Sequence, residues 1–267
     1  MKNLIAILLI ILMLIIPLSA CQKADSNELV VGMELAYPPF ETTDANDNPD
    51  GFSVKLAQAI GEELGRPVRI EAMEWSGLIP AIISGKVDFV LSSMTITDER
   101  AKSVNFSDPY AKSQLSLLIS KDSTVQTFDD LKAEGKKLAV KRGTTGHLFA
   151  TENLPEENIN VFDKAEVAVL EVSQGKSDAF IYDALTIYQN SQQYASTTRA
   201  SFEIFQDSFE YWGMAFNKKD TKLLEDVNRA LKTLQDNGTV NEIADTYLGD
   251  IKKVFEDQGL SFFFDIK

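Results

Sequence analysis

The sequence predicts an α/β protein built as two similar lobes that face each other across a cleft, and three observations predict it. First, residues 78–91 form an apolar helix that stops at Gly85, turns through Lys86-Val87-Asp88 and yields to a strand. The same grammar returns over residues 167–181 around Gly175-Lys176-Ser177-Asp178. Gly-Lys-x-Asp alone is ordinary turn chemistry, but helix, turn and strand recurring at one offset describe a repeated lobe. Second, strands alternate with helical patterns along the chain. That order implies mostly parallel sheets, whose ligands sit beyond the C-terminal ends of the strands. Third, residues 86–100 read as a buried strand running into a polar pocket and then a capped helix. By the offset of the repeat, Ser93 corresponds to Asp183, so the two are expected to face one another across the cleft.

The elements follow in order. Lys2, an uncharged apolar run over residues 4–16, Pro17 and the small residues before Cys21 make an export leader over residues 1–20, too short to span a bilayer. Cys21 is the only cysteine, which excludes an internal disulfide. Its place in Leu18-Ser19-Ala20-Cys21 resembles the bacterial lipoprotein box. That resemblance implies acylation of Cys21, with palmitate among the acyl groups, and a lipid-anchored protein on the outer face of the cell membrane. Residues 21–28 are polar and lack periodicity, as a tether does.

Leu29 to Met33 is a short apolar strand. Ser53 is expected to cap a helix whose apolar positions are Leu56, Ala57, Ile60 and Leu64 and which ends at Gly65. Residues 68–70 are the next strand, 78–84 the first repeat helix, and 89–91 the strand that follows. Residues 137–142 form a strand, and Gly143-Thr144-Thr145-Gly146 passes into a helix. Leu223, Leu224, Val227, Ala230, Leu231 and Leu234 form a helical apolar stripe, and Thr239-Val240-Asn241-Glu242 reads as a capping box. If these last helices return to the first lobe, the chain crosses between lobes around residues 112–117 and 208–214. Residues 29–114 are then lobe 1, 115–210 lobe 2, 211–250 the return to lobe 1, and 251–267 an aromatic tail.

The tract around Arg100 carries the chemistry. Period-two alternation sends Ser93 and Thr95 to one side of the strand. Thr97 is an N-cap with Asp98 and Glu99 in the first turn. Arg100 sits one helical turn in, where a guanidinium beside two hydroxyls and free backbone N–H groups matches the fork of a carboxylate. The competing reading is an ordinary ion pair with a surface acid.

From Leu29 to about Asp250 the sequence resembles the family-3 solute-binding proteins, the polar amino-acid binders of bacterial ABC importers. The resemblance rests on several motifs in order: residues 32–41 (Gly-Met-Glu-Leu-Ala-Tyr-Pro-Pro-Phe-Glu), Gly51-Phe52-Ser53-Val54, residues 75–80, the 93–100 tract, residues 106–110, Arg142-Gly143-Thr144-Thr145, and Asp183. It implies a type II periplasmic-binding-protein-like fold with a two-strand hinge. It also implies that Arg100, Thr95 and Thr145 hold an α-carboxylate and that Asp183 receives the α-ammonium. Tyr37 and Trp75 match positions that sandwich the ligand side chain, and Ser92 and Ser93 add contacts. The bland readings are a loop staple for Tyr37 and a core residue for Trp75. Glu34 stands where many relatives have aspartate. Flanked by Tyr37 and Trp75 it suits a cationic ligand of the arginine or lysine type, the preferred expectation. Lys141 or Arg142, of which alternation allows only one into the cleft, would instead neutralise Glu34 or attract an acidic or neutral polar side chain, with glutamine, histidine or cystine as the next choices. The implied partners are an amino acid, an ABC permease with its ATPase, and the membrane through Cys21, for a monomeric protein. An amino-acid sensor role is the variant of that reading.

Losing residues 1–20 removes only Lys2, so 25 basic side chains remain against 40 acidic ones, a net charge of −15. That balance argues against nucleic acid as a partner. An enzyme of the dehydratase type on the same fold is the reading from another class. With a single histidine, His147, and a single cysteine, the chain offers no zinc spacing, no Ser/His/Asp set and no phosphate loop. No cofactor and no metal are expected. Residues 44–50 (Asp-Ala-Asn-Asp-Asn-Pro-Asp) lack the glycine and glutamate of a calcium loop and read as a solvated turn.

Overall fold

Leu29–Met33 (β1) is buried at all five positions, as a strand covered on both faces must be. Leu29, Val31 and Met33 enter one apolar cluster, and Val30 enters another on the opposite face. The structure is a computed structural model describing residues 27–203, 205 and 209–265. The leader, Cys21 and most of the 21–28 tether lie outside the described residues.

A small hairpin, β2 (Thr42–Thr43) and β3 (Pro49–Asp50), leads into helix α1 (Phe52–Glu63). Then come β4 (Val68–Ala72), α2 (Leu78–Ser84), β5 (Phe89–Val90), the one-turn α3 (Asp98–Ala101) and β6 (Val104–Phe106). Strand β7 (Ala111–Ser113) leaves this lobe and β8 (Leu115–Ser120) enters the next. There follow β9 (Leu138–Lys141), α4 (Thr145–Asn153), β10 (Ile159–Phe162), α5 (Ala165–Ser173), β11 (Ala179–Asp183), α6 (Ala184–Gln193) and β12 (Thr198–Ser201). Strands β13 (Glu210–Trp212) and β14 (Ala215–Asn217) return, and α7 (Thr221–Asp236) and α8 (Thr239–Asp257) close the chain.

The two five-stranded sheets run β4-β1-β5-β14-β6 and β10-β9-β11-β8-β12. In each, the first three strands are parallel and the next two pairings antiparallel. Expecting mostly parallel sheets thus holds for three strands per sheet only. The antiparallel fourth strand is in each case the one that has just crossed from the other lobe, β14 in one sheet and β8 in the other. The crossings are stitched together by β7 pairing with β13, Ser113 opposite Glu210 and Ala111 opposite Trp212.

The repeated Gly-Lys-x-Asp turn has one physical purpose in both lobes. Gly85 and Gly175 take left-handed φ of 73° and 69° to end their helices, a conformation that costs glycine little. Asp88 then accepts from the Val30 N–H at 2.7 Å, and Asp178 from the Lys137 N–H at 2.9 Å. Each aspartate fastens the start of the central strand that follows it, β5 or β11, to the start of its parallel neighbour, β1 or β9.

Several local expectations are corrected. Ser53 does not cap α1: Gly51, at φ 114°, precedes the helix, and the Ser53 hydroxyl is spent on Glu41. Thr239 is the first residue of α8 behind Gly238 at φ 88°, and its own N–H is taken by Asn237 Oδ1 at 3.0 Å. Ser93 has φ 45°, so the strand has already ended and alternation is not what aims Ser93 and Thr95.

The boundary at residue 250 also falls inside α8, which continues to Asp257. The tail beyond it docks on lobe 1. Phe263, 1% exposed, meets Phe40 at 4.9 Å, Phe255 at 5.0 Å and Trp212 at 5.5 Å between ring centroids, and its carbonyl accepts from the Lys112 N–H of β7 at 2.8 Å. Truncating a large buried aromatic costs about 3–5 kcal/mol. Phe263→Ala should therefore lower the urea midpoint by a corresponding amount, while Phe264→Ala, at a partly buried position, should cost less.

Candidate functional site

The cavity between the lobes is assembled where the parallel strands end. Glu34 follows β1, Ser92 and Ser93 follow β5, Thr144 and Thr145 follow β9, and Asp183 ends β11. These residues line one cavity together with Tyr37, Trp75, Thr95, Arg100, Glu41, Leu115, Gly146, Tyr182, Glu210 and Trp212. Of the residues singled out in the sequence, Arg142 alone is turned away. Its guanidinium pairs at 2.7 Å with exposed Asp163. Cys21 lies outside the described residues.

Arg100 is 7% exposed and is placed by a cap that forms as predicted, the Thr97 hydroxyl accepting from its backbone N–H at 3.2 Å. Its guanidinium donates to the Thr95 carbonyl at 2.7 Å and, across the cleft, to the Gly143 carbonyl at 3.1 Å. Two carbonyls hold the fork without neutralising it, and the remaining donors are available to an anion. Burial lowers its pKa to about 10, opposed by the nearby Glu210 and Tyr182. It remains cationic at neutral pH.

Asp183 sits opposite as the N-cap of α6, accepting from the Leu185 and Thr186 N–H groups, each at 3.1 Å, and from the Thr186 hydroxyl at 3.0 Å. Burial raises its carboxyl above the ordinary range, against those donors. The buried Tyr37 hydroxyl lies against the same carboxyl. The Tyr37 ring belongs to an aromatic wall with Phe40, Tyr182 and Trp212 at 5.2, 6.3 and 5.9 Å.

The far end of the cavity is set by a buried ion pair between the lobes. Lys141, 2% exposed, binds Glu34, 8% exposed. The Ser92 hydroxyl oxygen accepts the Glu34 N–H at 3.0 Å and fixes that residue. Glu34 also accepts from the Trp75 N–H at 3.3 Å. The Trp75 ring faces two cations, Arg100 at 5.3 Å and Lys141 at 5.7 Å. Alternation along β9 allowed Lys141 or Arg142 into the cleft, and the sheet register selects Lys141. Glu34 is thereby matched by a cation of the protein itself.

Glu41, Tyr182, Glu210 and Trp212 were not singled out in the sequence. Glu41 is 1% exposed and accepts from the Ser53 hydroxyl and, at 2.9 Å, the Ser93 hydroxyl. Burial raises its carboxyl to about 8 despite both serines. A raised carboxyl binds its proton more tightly folded than unfolded. Its stabilisation is complete below the unfolded value near 4.5 and is lost as pH rises through about 8. Melting temperature measured between about pH 5 and about pH 9 should fall more steeply in the wild type than in Glu41→Gln; parallel slopes would refute this account of Glu41.

The model of the bacterial extracellular solute-binding proteins, family 3, matches residues 29–250. The L-cystine-binding protein TcyJ of Escherichia coli (strain K12) is 31% identical over 86% of this chain and 86% of its own length. The arginine-binding extracellular protein ArtP of Bacillus subtilis (strain 168) is 32% identical over 85% of this chain and 90% of its own. An ancestral arginine-binding protein bound to glutamine superposes with a TM-score of 0.76 at 33% identity, covering 84% of this chain and 98% of that one.

Proposed function

We propose, from the premise that this chain belongs to the bacterial extracellular solute-binding proteins, family 3, that it captures an L-amino acid with an uncharged polar side chain between its lobes and delivers it to an ABC permease. It is a binding protein rather than an enzyme, in keeping with relatives named for what they bind. A zwitterion needs a cationic and an anionic clamp a few ångströms apart, and Arg100 of lobe 1 and Asp183 of lobe 2 line the same cavity.

The observation that carries the choice of side chain is the Lys141–Glu34 pair. A carboxamide offers one acceptor and one donor side by side, complementary to an ammonium next to a carboxylate. Glutamine fits that description directly. A ligand cation placed there would instead meet the Lys141 charge. The names of relatives such as the arginine-binding ArtP favour a second reading, in which arginine or lysine displaces Lys141 from Glu34.

The leader, Cys21 and the tether support a lipid-anchored protein on the outer face of the cell membrane, working as a monomer beside its permease and ATPase. The test is isothermal titration of residues 27–267, unfolded and refolded to strip carried-over ligand, against the proteinogenic amino acids, cystine and ornithine. One-to-one binding led by glutamine supports the proposal. Binding led by arginine or lysine moves the choice to the second reading, and silence across the panel removes the amino-acid assignment. Loss of uptake of the identified ligand on deletion of the chain, with no turnover in vitro, tests the transport role.

A further inference from the structure

We propose that Glu210 competes for the place of the ligand α-carboxylate, so that an amino acid must expel it in order to bind. The inference rests on the reading of Arg100, Thr95 and Thr145 as the carboxylate cradle. The Thr95 hydroxyl already meets a carboxyl in that cavity, with Arg100 lining the same space, and the carboxyl is the protein's own. The Thr95 hydroxyl donates to Glu210 at 3.2 Å, and Thr145 is directed at the same carboxyl. Arg100 supplies the neighbouring positive charge, attracting Glu210 from within the cavity that both line.

The placement is built by the backbone. Glu210 is the first residue of β13, held opposite Ser113. Immediately beyond it, Ile96 N–H donates to the Tyr211 carbonyl at 2.8 Å and Gly213 N–H to the Met94 carbonyl at 3.0 Å. The segment carrying Thr95 is therefore zipped to the segment carrying Glu210, and the register delivers one carboxyl to the hydroxyl beside Arg100. The crossing strand contributes an occupant for the binding site as well as a connection.

The consequence is competition. One carboxylate can satisfy the hydroxyls and the guanidinium together. A second brought to the same donors meets like charge at close range, which disfavours both being ionised. Asp183 adds a further negative charge facing Glu210. Ligand affinity is thus the difference between two carboxylates competing for one cradle, and Glu210 sets the threshold that a ligand must exceed.

The experiment uses the full chain, purified in detergent and stripped of ligand, with sodium acetate as the probe and sodium chloride at equal ionic strength as the control. In Glu210→Ala the cradle is vacant, and acetate is expected to raise the melting temperature through linkage, while leaving wild type and the isosteric Glu210→Gln unmoved. Equal acetate shifts in all three proteins, or none in Glu210→Ala, would overturn the proposal. Should Glu210→Ala fail to fold, Glu210→Gln decides by titration with the tightest amino acid of the panel. Replacing the competing carboxylate with a weaker amide acceptor is expected to tighten Kd by about tenfold, the weight of one charge-assisted bond. Unchanged or weaker binding would mean that Glu210 is neutral or serves the ligand, and the proposal fails. Silence of the amino-acid panel removes the ligand reading, whereas the acetate result still decides what occupies the cradle.

Discussion

Arg100→Ala is expected to raise the Kd of the bound amino acid by about two to four orders of magnitude. A carboxylate seated on the guanidinium fork accepts two charge-assisted hydrogen bonds of about 1.5–3 kcal/mol each, and a loss of that size converts to this range of Kd. The fold should survive, because among the described residues the Arg100 guanidinium donates to the Thr95 and Gly143 carbonyls, and of these two bonds the second joins the lobes. Arg100→Lys should recover little, since a point charge on a flexible stem does not reproduce the fork. Titration alongside circular dichroism reads both quantities at once. Wild-type affinity in a folded Arg100→Ala protein would show that the carboxylate binds elsewhere.

Lys141→Met is expected to lower stability strongly, and it also changes what the cavity prefers. Truncating one partner of a buried ion pair leaves the other charge uncompensated, at a cost of about 3–5 kcal/mol. Glu34 is then enclosed beside Trp75 with no cation of its own. Pairing the change with Glu34→Gln should restore most of the loss, because the costly item is the orphaned charge. Selectivity should move with it: the freed carboxylate and the Trp75 face suit a guanidinium or ammonium, with cation–π attraction of about 0.5–2 kcal/mol. Arginine should gain on glutamine in Lys141→Met and lose that gain in the double variant. Urea unfolding and paired titrations check the two halves separately, and an unchanged preference in Lys141→Met would remove Lys141 from the specificity argument.

Features with a local cause could be read from the chain. The Gly-Lys-x-Asp turns recur because a left-handed glycine and a strand-fastening aspartate act within a few residues of each other. Thr97 was identified as a cap for the same reason, and the Arg100 it positions reached the cavity. Most readings that missed did so because a distant partner had claimed the group, and one because of an adjacent glycine. The Ser53 hydroxyl looked like a cap but is bound by Glu41. Thr239 matched a capping box, but Gly238 in a left-handed conformation already starts the helix. Choosing between Lys141 and Arg142 needed the parity of β9, which is set by pairing with β10 and β11. Glu210 was invisible because its contact with Thr95 spans 115 residues, and nothing near Glu210 in sequence announces a site.

Ser113 and Glu210 lie opposite one another in the β7–β13 ribbon, so the whole of lobe 2 leaves and re-enters through adjacent positions. In the vocabulary of protein engineering this lobe is an insertion cassette whose ends are already clasped. A foreign domain with neighbouring termini, spliced between those residues, leaves lobe 1 with the same short gap to close, and the entropy of closing a gap depends on its span and only slowly on what is threaded through it. Both chain segments flanking the cassette belong to lobe 1, as does the docked Phe263 that braces them from behind. Lobe 1 is the chassis on which other ligand-reading lobes can be exchanged.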